Sequence, residues 1–285
     1  MLKEFARAKV NLTLDILGSR ADGYHEVSMI MQTIELCDEL ELEKISGGVE
    51  LFMDATKIPG GETIPTDEKN LAWRAALEFQ KFCGKNFGVS ISLTKKIPAA
   101  AGLAGGSADA AAVIRGMNRL YELNLTEDEL CTIGAKVGSD VPFCIIGGTC
   151  LAEGRGEILT RLAPVKKFSV VLAKPDGEIS TAWAYKTYDK NPATTHLPTK
   201  KIIADLAGGN YDAAFKNFSN VLEGVALKKI PAIAECRDKM IAAGAKVALM
   251  SGSGPTVFAL TDDDAIAKKI AASVEDAKVF ITKIY

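Results

Sequence analysis

An α+β fold in two domains is what this sequence predicts, and three observations predict it. Strand and helix patterns alternate along the chain without the regular β-α-β spacing of a parallel sheet. At 285 residues the chain is long enough for two domains of ordinary size. The character of the sequence shifts around Leu162–Lys167, which sets the expected domains at 1–163 and 164–285.

From the N-terminus, Ala8, Val10, Leu12, Leu14 and Ile16 alternate with Lys9, Asn11, Thr13 and Asp15, the period of a half-buried strand. Lys9 and Asn11 then share its polar face. Asp22-Gly23 marks a turn that delivers Tyr24 and His25 directly after it. Met29–Leu36 and Leu40–Ile45 read as two strands, and Gly47-Gly48 suits a hairpin into Val49–Met53. Ala55–Lys69, rich in Pro, Gly, Thr and charge, reads as a surface loop, and Asn70 caps a helix to about Phe82.

Val89, Ile91 and Leu93 alternate into Pro98–Ala112, read PAAAGLAGGSADAAA, and an alanine-rich helix over Ala108–Tyr121 leaves it. Gly102, Gly105 and Gly106 allow sharp turns and leave no Cβ in the way of a ligand. Ser107 stands at the expected helix N-cap, where free N–H groups and the helix dipole favour an anion. Small residues, a cap and a good helix former in that order describe a phosphate cradle, although a plain glycine-rich strand-to-helix turn has the same residues. The loop lacks the lysine of a Walker A motif, and the chain has no Gly-x-Gly-x-x-Gly dinucleotide fingerprint.

Beyond the loop, Thr126–Glu129 is a capping box opening a helix to about Lys136. Asp140 follows on a turn before an apolar run, and Gly147-Gly148 separates two short strands. In the second half, Phe168–Ala173 is a strand and Ser180–Tyr188 a helix carrying Trp183, expected in the core, and Tyr185. Asp189–Thr199 is a loop in which His196 is expected to be exposed and without a role. Helices follow at Thr199–Leu206, Tyr211–Phe218 and Pro231–Ala243, then strands at Lys246–Met250 and Val257–Leu260 around Ser251–Thr256. A helix over Asp262–Val274 and an edge strand over Val279–Ile284 close the chain.

A net charge of -2 gives no global attraction to nucleic acid or an anionic membrane, so an anionic ligand must be held locally. Six scattered cysteines without a Cys-x-x-Cys pair, and only two histidines, argue against zinc and for free thiols in a reducing compartment. No apolar run approaches the ~20 residues of a membrane span. A strand pattern beginning at about Phe5 leaves no room for a targeting peptide, so a cytoplasmic location is expected.

Three blocks, Ala8-Lys-Val-Asn-Leu12, the glycine loop and Leu249-Met-Ser-Gly-Ser-Gly-Pro-Thr256, resemble in order and spacing the motifs of the GHMP kinases, the superfamily named after galactokinase, homoserine kinase, mevalonate kinase and phosphomevalonate kinase. Arg20–Glu26, Gly138–Pro142 and Ile179–Tyr185 resemble its branch that phosphorylates a cytidylated methylerythritol. The resemblance implies a two-domain GHMP kinase fold, with a ribosomal protein S5 domain 2-like N-terminal domain, a ferredoxin-like C-terminal domain and a cleft between them. It implies ATP with Mg2+ as cofactors and Lys9 and Asp140 as catalytic residues. ATP-binding residues would be Asn70, Pro98, Gly102, Leu103, Ala104, Gly105, Gly106, Ser107 and Asp109, with Ser107 also the metal donor. Substrate would be bound by Asn11, Tyr24, His25, Thr181 and Tyr185, the aromatics stacking on a cytosine and His25 reading its edge. The same three rings could be packing residues. A homoserine or mevalonate kinase, or a non-catalytic ligand sensor with this fold, are the alternatives; the first two have no base to stack.

Overall fold

The computed structural model describes residues 1–58 and 60–285; Pro59, in the loop expected over Ala55–Lys69, lies outside them. The chain forms two compact units, each drawn from separate stretches: one from 1–8, 36–99 and 104–147, the other from 9–35, 100–103 and 148–285. The first two strands each contribute residues to both units.

Those strands are β1 (Leu2–Ser19) and β2 (His25–Ile45), paired and joined by a turn in which Gly23 has φ +82°. The two strands expected over Met29–Ile45 are one, because Cys37-Asp38 does not break it: Asp38 is fully buried and hydrogen-bonded where it lies. β1 also departs from the expected half-buried strand, since residues 8–16 are buried throughout. Its polar residues are satisfied internally: Thr13 Oγ1 accepts from the Ile30 N–H at 3.0 Å and Asp15 from the Leu197 N–H at 2.8 Å. The alternation therefore marks a polar interior rather than a solvent face.

In the first unit, residues 39–45 of β2 pair antiparallel with β4 (Gly88–Thr94), and β4 pairs in parallel with β3 (Val49–Asp54). Helices α1 (Leu71–Cys83), α2 (Gly105–Leu120), α3 (Glu127–Val137) and α4 (Val141–Ile146) complete it. Its core sets Ala72, Ala76, Phe79 and the alanines of α2 against Leu40, Leu42, Ile91 and Leu93. Small residues on α2 allow this close approach; a Cβ on Gly116 would lie 2.8 Å from Leu42 Cδ1. The segment expected as a strand before Gly147 is α4.

In the second unit, residues 29–32 of β2 pair with β5 (Thr149–Glu153), which pairs with β6 (Ile158–Arg161). Then come β7 (Ser169–Lys174), α5 (Thr181–Tyr188), α6 (Thr199–Ala207), α7 (Tyr211–Phe215), α8 (Glu223–Lys229), α9 (Ala232–Ala242), β8 (Val247–Met250), β9 (Val257–Thr261), α10 (Asp264–Ala272) and β10 (Lys278–Lys283). The sheet order β10-β7-β9-β8, all neighbours antiparallel, is the fourth-first-third-second order of a ferredoxin-like sheet, with β10 at its edge as expected. Helix α8 has no counterpart in the sequence reading. Trp183 is half-buried under the Lys229 ammonium, 4.6 Å from its ring centroid, rather than in the core.

Candidate active site

The second unit knits together parts of all three sequence blocks. Lys9, on β1, is buried and donates from Nζ to Asn11 Oδ1 at 2.6 Å, while its backbone N–H donates to the Leu103 carbonyl at 3.1 Å. The Asn11 N–H donates to Ser251 Oγ at 3.4 Å, and that hydroxyl donates to the Gly102 carbonyl at 3.0 Å. Asn220, buried and unremarkable in the sequence, donates to the Met250 and Gly252 carbonyls, both at 2.8 Å, and so sets the shape of the Ser251–Thr256 loop. Thr181, at the start of α5, joins the same loop through Ser253 Oγ at 3.0 Å. Gly102 has φ +74°, and a Cβ there would lie 2.2 Å from the Ser251 carbonyl oxygen, so glycine is required.

The helix that leaves the glycine loop starts earlier than the sequence suggests. Ala104 is the N-cap of α2, in left-handed conformation at φ 57°, and the first helical bond runs from the Ala108 N–H to the Ala104 carbonyl at 2.8 Å. Ser107 is thus not the cap but the third helical residue. The N–H groups of Gly105, Gly106 and Ser107 precede the first intrahelical bond and are the donors a helix offers an anion. Pro98 and Leu103 are buried, and Ala100 joins Ala104 at positive φ, 47°, a conformation that non-glycine residues hold at some strain. Asn70 caps α1 through Oδ1 to the Ala72 N–H at 2.8 Å and donates to the Pro65 carbonyl at 2.7 Å. Asp140 sits at the start of α4 and makes no side-chain capping bond to it.

Asp109 is buried on α2, and its Oδ2 accepts from Lys95 Nζ at 2.6 Å. Lys95 also pairs with Asp38, whose Oδ1 accepts from the Ile97 N–H at 2.8 Å. The three side chains tie the strand before the glycine loop to the helix after it. With two carboxylates on one ammonium, burial pushes the Asp109 carboxyl up to about 8; Lys95 opposes this and the Asp38 carboxylate adds to it. The buried Asp109 Oδ1 has no hydrogen-bond partner, which a neutral carboxyl tolerates better than a carboxylate. Lys95 is raised, because Asp109 and Asp38 outweigh the burial that alone would lower it. A carboxyl raised on folding binds its proton more tightly in the native state, so its contribution to stability is full below about pH 4 and is lost as pH rises to about 8. Asp109→Asn is expected to remove that slope, at most about 1.4 kcal/mol per pH unit. Urea melts from pH 4 to 8 check it; parallel curves for mutant and wild type would refute it.

Tyr24, His25 and Tyr185 meet in part. The His25 and Tyr185 rings lie 4.8 Å apart, tilted by 45°. Tyr24 is 52% exposed, with the Arg155 guanidinium 5.0 Å from its ring centroid. His25 Nε2 lies 2.7 Å from Asp189 Oδ1, a partner 164 residues away that no local signal in the loop pointed to. His196 is exposed, as expected, and its Nδ1 lies 3.3 Å from the buried Asp15. A cavity of ≈ 680 Å³ lined by Lys166, Tyr211, Lys216, Lys246 and Asp262 holds none of the residues singled out above. Lys166 and Lys246 there pair with Asp262, and Lys201 with Asp205, so its charge is largely balanced.

The model of the GHMP kinase N-terminal domain matches residues 70–148, and that of the GHMP kinase C-terminal domain matches 202–279. Over 280 residues, 98% of each chain, the sequence is 41% identical to the 4-diphosphocytidyl-2-C-methyl-D-erythritol kinase of Clostridium botulinum. The chain belongs to the GHMP kinases. As a member of that family of small-molecule kinases it uses ATP. This GHMP kinase resembles the crystal structure of a 4-(cytidine 5'-diphospho)-2C-methyl-D-erythritol kinase with a TM-score of 0.83 and 32% identity over 99% of both chains. Homoserine kinase of Cytophaga hutchinsonii, at 21% identity and a TM-score of 0.79 over 99% of this chain and 94% of that one, shares the fold. Among the described residues no helix of this GHMP kinase is long and apolar enough to cross a membrane.

Proposed function

We propose that this GHMP kinase transfers the γ-phosphoryl group of ATP to the 2-hydroxyl of 4-diphosphocytidyl-2-C-methyl-D-erythritol, in the non-mevalonate route to isoprenoid precursors. The observation that carries the reading is the His25–Tyr185 pair, an edge reader against an aromatic face, in a chain so similar to the Clostridium kinase of that name. Homoserine and mevalonate have no base to occupy such a pair.

Phosphoryl transfer needs an aligned hydroxyl and neutralised phosphoryl oxygens, and little covalent help. Asp140 accepts the hydroxyl proton. Lys9, its ammonium held by Asn11, orients the alcohol and spreads the developing negative charge. The N–H groups of Gly102–Ser107 and the Ser107 hydroxyl hold the triphosphate, with Asn70, Pro98 and Leu103 shaping the nucleotide site and Asp109 fixing the loop through Lys95. Mg2+ arrives with ATP as part of the substrate. Ser107 Oγ would hold it together with the phosphates and water, oxygen donors of the kind this ion takes, and it would neutralise charge on the phosphoryl oxygens. Tyr24 and Tyr185 stack on the cytosine, while Asn11 and Thr181 bind the remainder of the substrate. Six cysteines, none of them in a disulfide, support a cytoplasmic location.

ADP release coupled to a reporter enzyme tests the reading with the cytidylated methylerythritol, homoserine and mevalonate as acceptors. The expected preference for the first in kcat/KM is roughly 10⁴-fold or more, as for a site built to hydrogen-bond a group its competitors lack. Comparable turnover of homoserine or mevalonate would overturn it.

A further inference from the structure

Asn220 and Glu223 are buried where the chain enters α8, and no step of the transfer uses either. Their segment runs beside β1: the Val221 N–H donates to the Leu14 carbonyl at 3.0 Å, and the Leu14 N–H to the Ser219 carbonyl at 2.9 Å. The Asn220 amide donates to the two carbonyls that flank Ser251, those of Met250 and Gly252. Its Oδ1 accepts from the Leu222 N–H at 3.0 Å, which leaves the amide one way to face. Glu223 Oε2 accepts from the Met250 N–H at 3.0 Å, and the Arg237 guanidinium holds Oε1. Met250 is therefore gripped at both its backbone groups and Gly252 at its carbonyl, with Ser251 between them. The Ser251 hydroxyl in turn accepts from the Asn11 N–H, and Asn11 Oδ1 accepts from Lys9 Nζ.

We propose that Asn220 and Glu223 are positioning residues for the phosphoryl transfer, acting through Ser251 and Asn11 on Lys9. Phosphoryl transfer depends almost entirely on positioning and electrostatic stabilisation. A displacement of about 1 Å at a reacting group costs on the order of 10²-fold in rate. Lysine has a long, flexible stem, and here its ammonium is held by an oxygen of a residue whose backbone is anchored to Ser251. Lys9, Asn11, Ser251, Asn220 and Glu223 are all buried, so water does not replace a bond that is lost. Because residues 219–221 pair with β1 at Leu14, the same segment holds the strand that carries Lys9 and the loop that supports it. The inference rests on the assignment of Lys9 to the transfer, and it adds the residues that keep the ammonium in place.

Asn220→Asp is the decisive variant. It keeps the volume and the acceptor for the Leu222 N–H, but sets a carboxylate oxygen against the Met250 and Gly252 carbonyls, so Ser251 must shift. The expected loss in kcat is roughly tenfold to hundredfold. Affinity for a non-hydrolysable ATP analogue is expected to stay within about threefold, since the anion donors at the start of α2 are outside this relay. Asn220→Ala, which removes the donor without adding repulsion, is expected to lose less, and takes the place of Asn220→Asp if that variant does not fold. Glu223→Gln, which retains an acceptor for the Met250 N–H, is expected to keep more of kcat than Glu223→Ala. The readout that a merely structural role would not move is the pairing with Ser251→Ala. The Asn220→Asp, Ser251→Ala double variant is expected to lose no more kcat than the worse single one, as for residues acting in one line. Losses that multiply, or a lowered urea midpoint with kcat of the folded enzyme unchanged, overturn the positioning role and leave Lys9 in the transfer. A Lys9→Met variant with near wild-type kcat overturns the assignment of Lys9, and this inference with it.

Discussion

Asp140→Asn is expected to lower kcat by roughly 10²–10⁴-fold, the usual contribution of a positioned general base, with nucleotide affinity almost unchanged. The Asp140 side chain does not cap α4, so the substitution removes no helix cap. Asn keeps the volume and removes the negative charge together with the ability to take a proton. Lys9→Met is the companion variant: the side chain is buried, so a change that preserves volume separates loss of charge from loss of packing. It should also lose most turnover. Steady-state rates and calorimetric titration with a non-hydrolysable ATP analogue measure the two quantities. Asp140→Asn with near wild-type turnover would remove Asp140 from the chemistry.

Gly102→Val is expected to destabilise the protein by roughly 3 kcal/mol, combining strain at positive φ with overpacking. The obstacle is backbone: a Cβ would meet the Ser251 carbonyl oxygen at 2.2 Å, and no flexible side chain can swing away. Gly106→Ala is the control. Gly106 lies in the first turn of α2, and its added Cβ would meet Leu71 Cδ1 at 3.4 Å, an ordinary contact. That change should be close to neutral. Urea melts of both variants give the comparison, and equal midpoints would show that the Gly102–Ser251 approach is loose.

What was legible in the sequence was local. The glycine loop, the helix after it, the Asn70 cap and the Thr126 capping box all follow from residues within a few positions of one another, and each forms. The Lys9–Asn11 pair followed from strand period alone. Groups that depend on distant partners were hidden: Lys95 with Asp38, 57 residues apart, Asn220 with Gly252, 32 apart, and His25 with Asp189. Asp15, Asn220 and Asp189 look like ordinary polar residues until the fold supplies their partners. Alternation also misled at β1, because period two reports that two faces differ, and a buried face lined with satisfied polar groups gives the same pattern as water.

The way the second unit is assembled has a consequence during synthesis. The first unit has all its residues once position 147 has been made. The second uses residues 9–35, which emerge long before residue 285, yet the Thr33 carbonyl is met by the N–H of Tyr285, and the Leu14 N–H by the carbonyl of Ser219. At roughly 5–20 residues per second on the ribosome, the N-terminal hairpin waits on the order of ten seconds for the chain that covers it. During that interval Leu12, Leu14, Ile16, Ile30 and Met31, all buried in the finished protein, lack their last partners beside open strand edges. The segment that carries Lys9 emerges well before the segments that complete it.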